Sequence, residues 1–251
     1  MLTSQRKQYL MDVLRRDGRI VATTLSAELG VSEDTIRRDL RELAREGLLQ
    51  RVHGGALPAS PAMADFATRE HIATGDKAAI GRAAAALVQQ GQVIFVDGGT
   101  TCVQMMRHLP RALVATVVTH SPSIAMELMD HPCIEVVMLG GRLFRHSIVG
   151  VGAATLEAIA RIRADTYFMG VCSLHPEHGL STGDYEEACV KRALCEAAAE
   201  TIVLASSEKL DTVSPYRVVG LGEINGIVLP AATASSLHAP YRERGITLTF
   251  A

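Results

Sequence analysis

Apolar positions in the first fifty residues recur at helical spacing, and from about residue 76 onward they gather into short runs separated by further helical stretches. The clearest pattern lies in 32–47. Ile36, Leu40 and Leu43 fall at i, i+4 and i+7, one stripe that must pack against something. Ser32 suits the N-cap because its hydroxyl can accept from an orphan amide of the first turn. Glu33 and Asp34 follow where negative charge suits the helix dipole, and Gly47 supplies the stop. At about 100° per residue, Arg37, Arg38, Arg41 and Arg45 fall opposite the stripe. Such a helix is either a solvated, salt-bridged surface element, for which Glu42 and Glu46 leave room, or a recognition helix whose arginines read guanine in the major groove.

The flanking segments decide between these readings. Upstream, 3–16 predicts a helix with Leu10, Val13 and Leu14 inward and Gly18 at its end. Ile20-Val21 is a short apolar step, Thr23-Thr24 is expected to cap a brief helix over 25–29, and Gly30 turns the chain into Val31. Two short helices joined at a glycine and followed by a basic face are the helix-turn-helix pattern. Downstream, 48–52 alternates like a strand and runs into His53-Gly54-Gly55-Ala56, a predicted hairpin tip carrying Arg51 and His53, as a winged helix needs beside the groove.

Leu57-Pro58-Ala59-Ser60-Pro61-Ala62 interrupts regular structure and predicts a linker over 58–68 between a DNA-binding domain at 1–57 and a larger domain at 69–251. The second domain should begin as a helix within 66–82. Helices are expected at 76–90, 101–109, 121–131, 152–163 and 184–199. Strands are expected at 92–97, 113–119, 134–139, 166–171, 201–206, 227–229 and 246–250. Strands of Val, Ile and Leu alternating with helices predict an α/β domain with a mainly parallel sheet, which binds ligands outside the carboxyl ends of its strands. Those ends carry Asp97-Gly98-Gly99-Thr100-Thr101, Thr119-His120-Ser121, Gly140-Gly141 and Gly170. Glycines permit close backbone approach, threonines offer hydroxyls, and a helix N-terminus offers amides to an anion. The plainer alternative is a set of turns that need glycine only for geometry.

Composition narrows the picture further. The formal net charge of −2 hides an asymmetry, with ten Lys/Arg against eight Asp/Glu in residues 1–55 and fifteen against nineteen in the rest. DNA contact would therefore rest on a local basic face. No apolar run approaches a membrane span and no signal peptide begins the chain, so a cytoplasmic protein is expected. Cys102, Cys133, Cys172, Cys189 and Cys195 form no CxxC pair and predict buried small apolar residues. His175 and His178 have metal-pair spacing but no third ligand nearby, so neither metal nor cofactor is expected.

Val31-Ser32-x-x-Thr35-Ile36-Arg37-Arg38-Asp39-Leu40-x-x-Leu43, followed by Gly47-Leu48-Leu49 and Val52-His53-Gly54-Gly55-Ala56, resembles the DNA-binding domain of the DeoR family of bacterial transcription regulators. The resemblance implies that Ser32, Thr35, Arg37 and Arg38 approach double-stranded operator DNA, and that Asp39 pairs with an arginine of the first helix. From about Arg69 to Leu210 the chain also resembles the family's sensor domain, related in fold to ribose-phosphate isomerase. The shared features are Lys77, the 97–101 loop, Thr119, Leu139-Gly140-Gly141, Val149-Gly150-x-Gly152, Asp165 with Phe168-x-Gly170, Gly179-Leu180-Ser181, Glu187-Ala188 with Lys191-Arg192, and Lys209. In the family these line a site for a phosphorylated sugar or related metabolite. That implies an effector site at Asp97, Gly98, Gly99, Thr100, Thr101, Thr119, His120, Gly140, Gly141, Glu187, Lys191 and Lys209. Asp97 is expected to accept from sugar hydroxyls, and the glycine turns and lysines to meet the phosphate. His120 stands where the family prefers Asn, Ser206 where Asp is common, and Leu229-Pro230 in place of Thr-Asp.

The expected protein is thus an effector-controlled repressor of a carbohydrate-utilisation operon, acting as a homo-oligomer without a membrane. An isomerase-like enzyme with a DNA-binding appendage, and a regulator with an unphosphorylated effector or none, stand beside it.

Overall fold

A computed structural model describes residues 2–251. The N-terminal body is built from α1 (Thr3–Asp17), β1 (Ile20–Val21), α2 (Ala22–Leu29), α3 (Glu33–Arg45), β2 (Leu49–Val52) and β3 (Gly55–Pro58). Its core joins Leu10, Val13 and Leu14 of α1 to Leu25 of α2 and the predicted Ile36–Leu40–Leu43 stripe of α3. Ser32 caps α3 as expected, its side chain accepting from the Thr35 amide. The expected Thr23-Thr24 cap is absent: α2 begins at Ala22 after an extended Val21, with no side-chain cap bond. The three strands form an antiparallel sheet in the order β1-β3-β2. Gly55 is required in it, because a Cβ there would lie 1.7 Å from the Ile20 carbonyl oxygen. Arg6 of α1 and Asp39 of α3 form a buried ion pair, Arg6 Nη2 donating to Asp39 Oδ1 at 3.2 Å, so Asp39 ties two helices together.

The connector is more structured than a plain linker. After β3 it makes a single 3-10 turn at Pro61–Met63 and then α4 (Phe66–Glu70), and Phe66 sinks into the core of the second body.

The second body follows as α5 (Thr74–Ala85), β4 (Val93–Val96), α6 (Thr100–Arg107), β5 (Ala115–Thr119), α7 (Pro122–Glu127) and β6 (Ile134–Met138), then β7 (Arg142–Phe144), β8 (Val149–Val151), α8 (Ala153–Ala160), β9 (Ala164–Gly170), β10 (Ser173–His175) and β11 (Gly179–Thr182). It finishes with α9 (Tyr185–Ala197), β12 (Ala198–Leu204), β13 (Tyr216–Arg217), β14 (Gly226–Leu229), α10 (Ser235–Glu243) and β15 (Thr247–Phe250). Seven strands pair in the order β15-β14-β12-β9-β4-β5-β6, every ladder parallel. Alternate strand residues feed two cores, as burial on both faces requires. Phe95, Tyr167 and Val203 meet α8, α9 and α10 on one face, and Ile94, Val96 and Phe168 meet α5, α6 and α7 on the other. The chain winds outward from β4 to β5 and β6, then returns to place β9 on the other side of β4. The crevice between the carboxyl ends of β4 and β9 is therefore the topological switch point, where such sheets bind ligands. Two features lay outside the sequence expectation. One is the set of hairpins β7–β8 and β10–β11, and the other is α10, which contains Pro240.

Candidate functional site

Two chemically active regions stand out. On the first, Arg37, Arg38, Arg41 and Arg45 project into solvent from α3, opposite its buried stripe. Arg37 Nη2 pairs with Glu33 Oε2 at 2.6 Å and Arg41 Nε donates to the Arg37 carbonyl at 3.2 Å, whereas Arg38 has no side-chain partner among the described residues. The Ser32 and Thr35 hydroxyls lie 2.9 Å apart at the helix start. Arg51 is exposed on the wing strand β2. His53, at the wing tip, lines an open cleft that also holds Arg19, His175, His178 and Arg244, so it borders the second body as well as solvent. His175 Nδ1 accepts from the amides of Glu177 and His178. Among the described residues no group of three His, Cys, Asp or Glu side chains could hold a metal.

The second region is the switch point. Asp97 directly follows β4, with no exposed surface and both oxygens fully engaged. Oδ1 accepts from the Gly98 amide at 2.8 Å and from His120 Nε2 at 3.0 Å. Oδ2 accepts from the Gly170 amide at 2.9 Å and from Lys191 Nζ. Burial alone would push this carboxyl up, but the Lys191 charge and the His120 bond reverse the effect and hold it at about 2. Burial pulls Lys191 in the opposite sense, and the Asp97 and Glu187 charges outweigh it and raise the ammonium. Lys191 also donates to the Gly170 carbonyl at 3.0 Å and lies 3.4 Å from Glu187 Oε1, so its three protons all have partners. His120 Nδ1 faces the Gly150 carbonyl at 2.8 Å. Both ring nitrogens of His120 thus face acceptors, a carbonyl on one side and a carboxylate on the other.

A cavity opens beside this network, lined by Gly98, Gly99, Thr100, Thr101, Glu187, Lys191 and Lys209 of the sequence-expected set, together with Arg69, Lys77, Ser147, Cys172 and Glu208. Glycine is required at 98, where a Cβ would sit 2.2 Å from Val149 Cγ1, and at 99, whose φ of +114° precedes α6. The first-turn amides of α6 have no intrahelical acceptor, which leaves them for an anion. Lys209 Nζ approaches Thr101 Oγ1 at 3.4 Å. Burial pushes Lys209 down, and burial together with the nearby Lys209 charge pulls Lys77 down to about 8. Four cationic side chains (Arg69, Lys77, Lys191 and Lys209) thus line the cavity against two carboxylates, Glu187 and Glu208. A chain of hydrogen bonds and one ion pair crosses the site: Arg69 Nη2 to Ser147 Oγ at 3.4 Å, Ser147 Oγ to Glu187 Oε2 at 3.3 Å, the Glu187–Lys191 ion pair, then Asp97, His120 and Gly150.

Several expected ligand residues lie elsewhere. Asp97 is behind the cavity wall with no lone pair to spare for a sugar hydroxyl, so its role is to fix Lys191. His120 is fully buried against Asp97, so replacing Asn there alters the scaffold rather than the lining. Thr119 Oγ1 donates to the Val96 carbonyl and accepts from the Ser121 amide, a purely internal role. Gly140 and Gly141 do not line the cavity. The Gly140 carbonyl accepts from Thr155, and Gly141, with φ +134°, leaves no room for a Cβ against Thr155 Oγ1. Ser206 Oγ donates to Glu208 Oε1 at 2.7 Å, so it positions a carboxylate that no local pattern marks out. Lys77 belonged to the resemblance. Arg69, at its N-terminal limit, and Ser147 and Glu208 carried no local signal.

Residues 72–230 match the family model of the DeoR C-terminal sensor domain, and 6–61 match that of the DeoR-like helix-turn-helix domain. The HTH-type transcriptional regulator GlpR of Haloferax volcanii is 34% identical over 99% of this chain and 98% of its own length. The HTH-type transcriptional repressor GlcR of Bacillus subtilis is 31% identical over 91% and 88%. The glycerol-3-phosphate regulon repressor of Haemophilus influenzae is 31% identical over 90% and 88%. These relatives are transcriptional regulators, not enzymes. Among solved structures, the full-length sorbitol operon regulator SorC of Klebsiella pneumoniae covers 94% of this chain and 98% of its own at 11% identity and a TM-score of 0.43. Ribose 5-phosphate isomerase A of Methanocaldococcus jannaschii covers 53% and 52% at 20% identity and a TM-score of 0.40. Likenesses this loose bear on neither function nor site.

Proposed function

The chain belongs to the DeoR family of transcriptional regulators, and on that premise we propose that it represses a carbohydrate-utilisation operon under the control of a phosphorylated sugar or polyol. The observation that carries this reading is the cavity at the β4–β9 switch point, where four cations outnumber two carboxylates beside the free amides of α6. A phosphate draws on charge-assisted bonds roughly twice as strong as neutral ones. The hydroxyls of a sugar or polyol find acceptors in Glu187 and Glu208. The name of the Haemophilus influenzae relative, a glycerol-3-phosphate regulon repressor, supports the same ligand class.

On the DNA side, Ser32, Thr35, Arg37, Arg38, Arg41 and Arg51 form the proposed operator contact, with His53 at the wing tip. One such domain binds a half-site weakly, so the protein acts as a homo-oligomer in the cytoplasm, pairing two domains on one operator. No helix among the described residues is long and apolar enough to cross a membrane.

Calorimetry of the full-length protein against paired phosphorylated and free sugars tests the ligand class. Binding by the phosphorylated member alone is expected, and equal binding by both would overturn the reading. Light scattering at micromolar concentration tests the assembly, and a monomer with and without DNA would refute it.

A further inference from the structure

The cavity at the strand ends has one wall that does not belong to the sheet body. Its floor is the 98–101 turn, Gly170 and the Glu187–Lys191 face of α9, all set in the two cores. Its roof is the connector, residues 59–73, from which Ala62, Arg69 and Ile72 line the space. The cavity is partly open to solvent, and the free volume within it is about 20 Å³, room for about one water. Small-molecule sites occupy roughly 300 Å³ or more. A sugar or polyol phosphate therefore enters only when a wall moves.

The roof is anchored by Phe66 in the second core and is otherwise held by individual bonds rather than by a long β-ladder. Ser60 Oγ donates to the Cys172 carbonyl, the Phe66 amide to the His146 carbonyl at 2.9 Å, and Arg69 Nη2 to Ser147 Oγ at 3.4 Å. A lone bridge joins Ala59 to Val213. At its far end the connector turns through Ala73, a non-glycine residue with φ +50°. At its near end it continues β3, the middle strand of the winged-helix sheet.

Arg69 is where the roof meets the cavity with its bonding incomplete. Its Nε is buried with no partner among the described residues, and so is Oε2 of Glu208 on the cavity lining. An orphan cationic donor and an orphan anionic acceptor lining one cavity match a ligand that is anionic at one end and hydroxylated at the other.

We propose that Arg69 is the residue through which the effector acts on the DNA-binding domain. The ligand's anionic group takes the free Nε, a ligand hydroxyl donates to Glu208 Oε2, and the roof shifts as the cavity fills. Because the roof is continuous with β3, that shift reaches the wing and the core behind α3 directly. The inference rests on the phosphorylated-ligand reading above and adds the route by which that ligand is felt.

The test uses the full-length protein and a panel of sn-glycerol 3-phosphate, a pentose 5-phosphate and a hexose 6-phosphate. Calorimetry on the wild type identifies a binder, and the same compound is titrated into Arg69→Ala and Arg69→Lys. Arg69→Ala should bind it roughly tenfold or more weakly, with Arg69→Lys recovering only part because an ammonium lacks the planar fork. Independently of any variant, amide hydrogen exchange in 59–73 of the wild type should change when the compound binds. Wild-type affinity in Arg69→Ala, or unchanged exchange across 59–73, overturns the proposal and leaves the ligand reading standing. A wild type that binds none of the panel overturns both.

Discussion

The arginines of α3 and the charged groups at the switch point are the same chemistry in opposite settings. Arg37, Arg38 and Arg41 stand in solvent, and the single ion pair among them, Arg37 with Glu33, leaves both side chains about half exposed. Asp97 and Lys191 are almost fully enclosed, and every donor and acceptor they own is engaged internally. Exposed charge is available to a partner at little cost. Buried charge is already committed, and what it offers a ligand is the position of its neighbours. A charged residue at a strand end is therefore not a ligand contact until its hydrogen-bonding capacity has been counted.

The comparison is most sharply tested by removing a committed charge. Asp97→Asn leaves Lys191 buried beside a neutral group, and breaking such a pair costs about 3–5 kcal/mol. The expected outcome is a large fall in the denaturant midpoint of the sensor domain, and a midpoint within error of wild type would show that the pair is not structural. The same pair predicts acid behaviour. Asp97 sits at about 2 when folded against an ordinary 3.8, so its contribution is fully present above the ordinary value and is lost as pH falls through about 2. Acid titration of wild type and Asp97→Asn should therefore converge at the lowest pH.

Removing an uncommitted charge should do the reverse. Arg38→Ala should leave unfolding unchanged and weaken operator binding by about 1–3 kcal/mol, with relaxed specificity if the contact is to a base and an even loss across sequences if it is to phosphate. Unchanged operator affinity in a mobility-shift titration would mean that α3 presents a different face to DNA.

Lys77 falls between the two settings, since burial and the neighbouring Lys209 charge bring it to about 8. It is charged below that value and neutral above it, so affinity for a phosphorylated effector should fall several-fold as pH rises through about 8. Lys77→Arg should flatten that profile in calorimetry, and an unaltered slope would exclude Lys77 as its source. The smallest effect belongs to Glu33→Gln. It breaks an exposed i,i+4 pair and should change stability by less than about 1 kcal/mol in the same unfolding assay.

Legibility in the sequence followed the range of the interactions. α3 was readable because cap, stripe and stop lie within one short segment, and the central strands because Val, Ile and Phe runs mark burial on both faces. The hairpins β7–β8 and β10–β11 were not, since their strands are only three or four residues long and are held by long-range packing. α10 was hidden by Pro240, which ordinarily argues against a helix interior. At the site, the 98–101 turn announced itself through its glycines, whereas Lys209 came only with the family resemblance. Asp97 and His120 were visible as residues, but their saturation was not, because their partners at Gly150, Gly170 and Lys191 come from distant segments. Arg69 and Glu208 reach the cavity from the connector and a 3-10 turn, where no periodicity marks them.

A ligand held by these cations is expected to change DNA binding. The direct measurement is operator affinity, on DNA selected by the protein from a random pool, with a phosphorylated sugar or polyol that binds it, with the dephosphorylated counterpart, and in Lys209→Ala. The expectation is that the phosphorylated compound shifts wild-type affinity by roughly 5- to 150-fold, that the free compound leaves it unchanged, and that Lys209→Ala binds the operator normally but responds weakly. An equal response to the free compound, or a full response in Lys209→Ala, would contradict it.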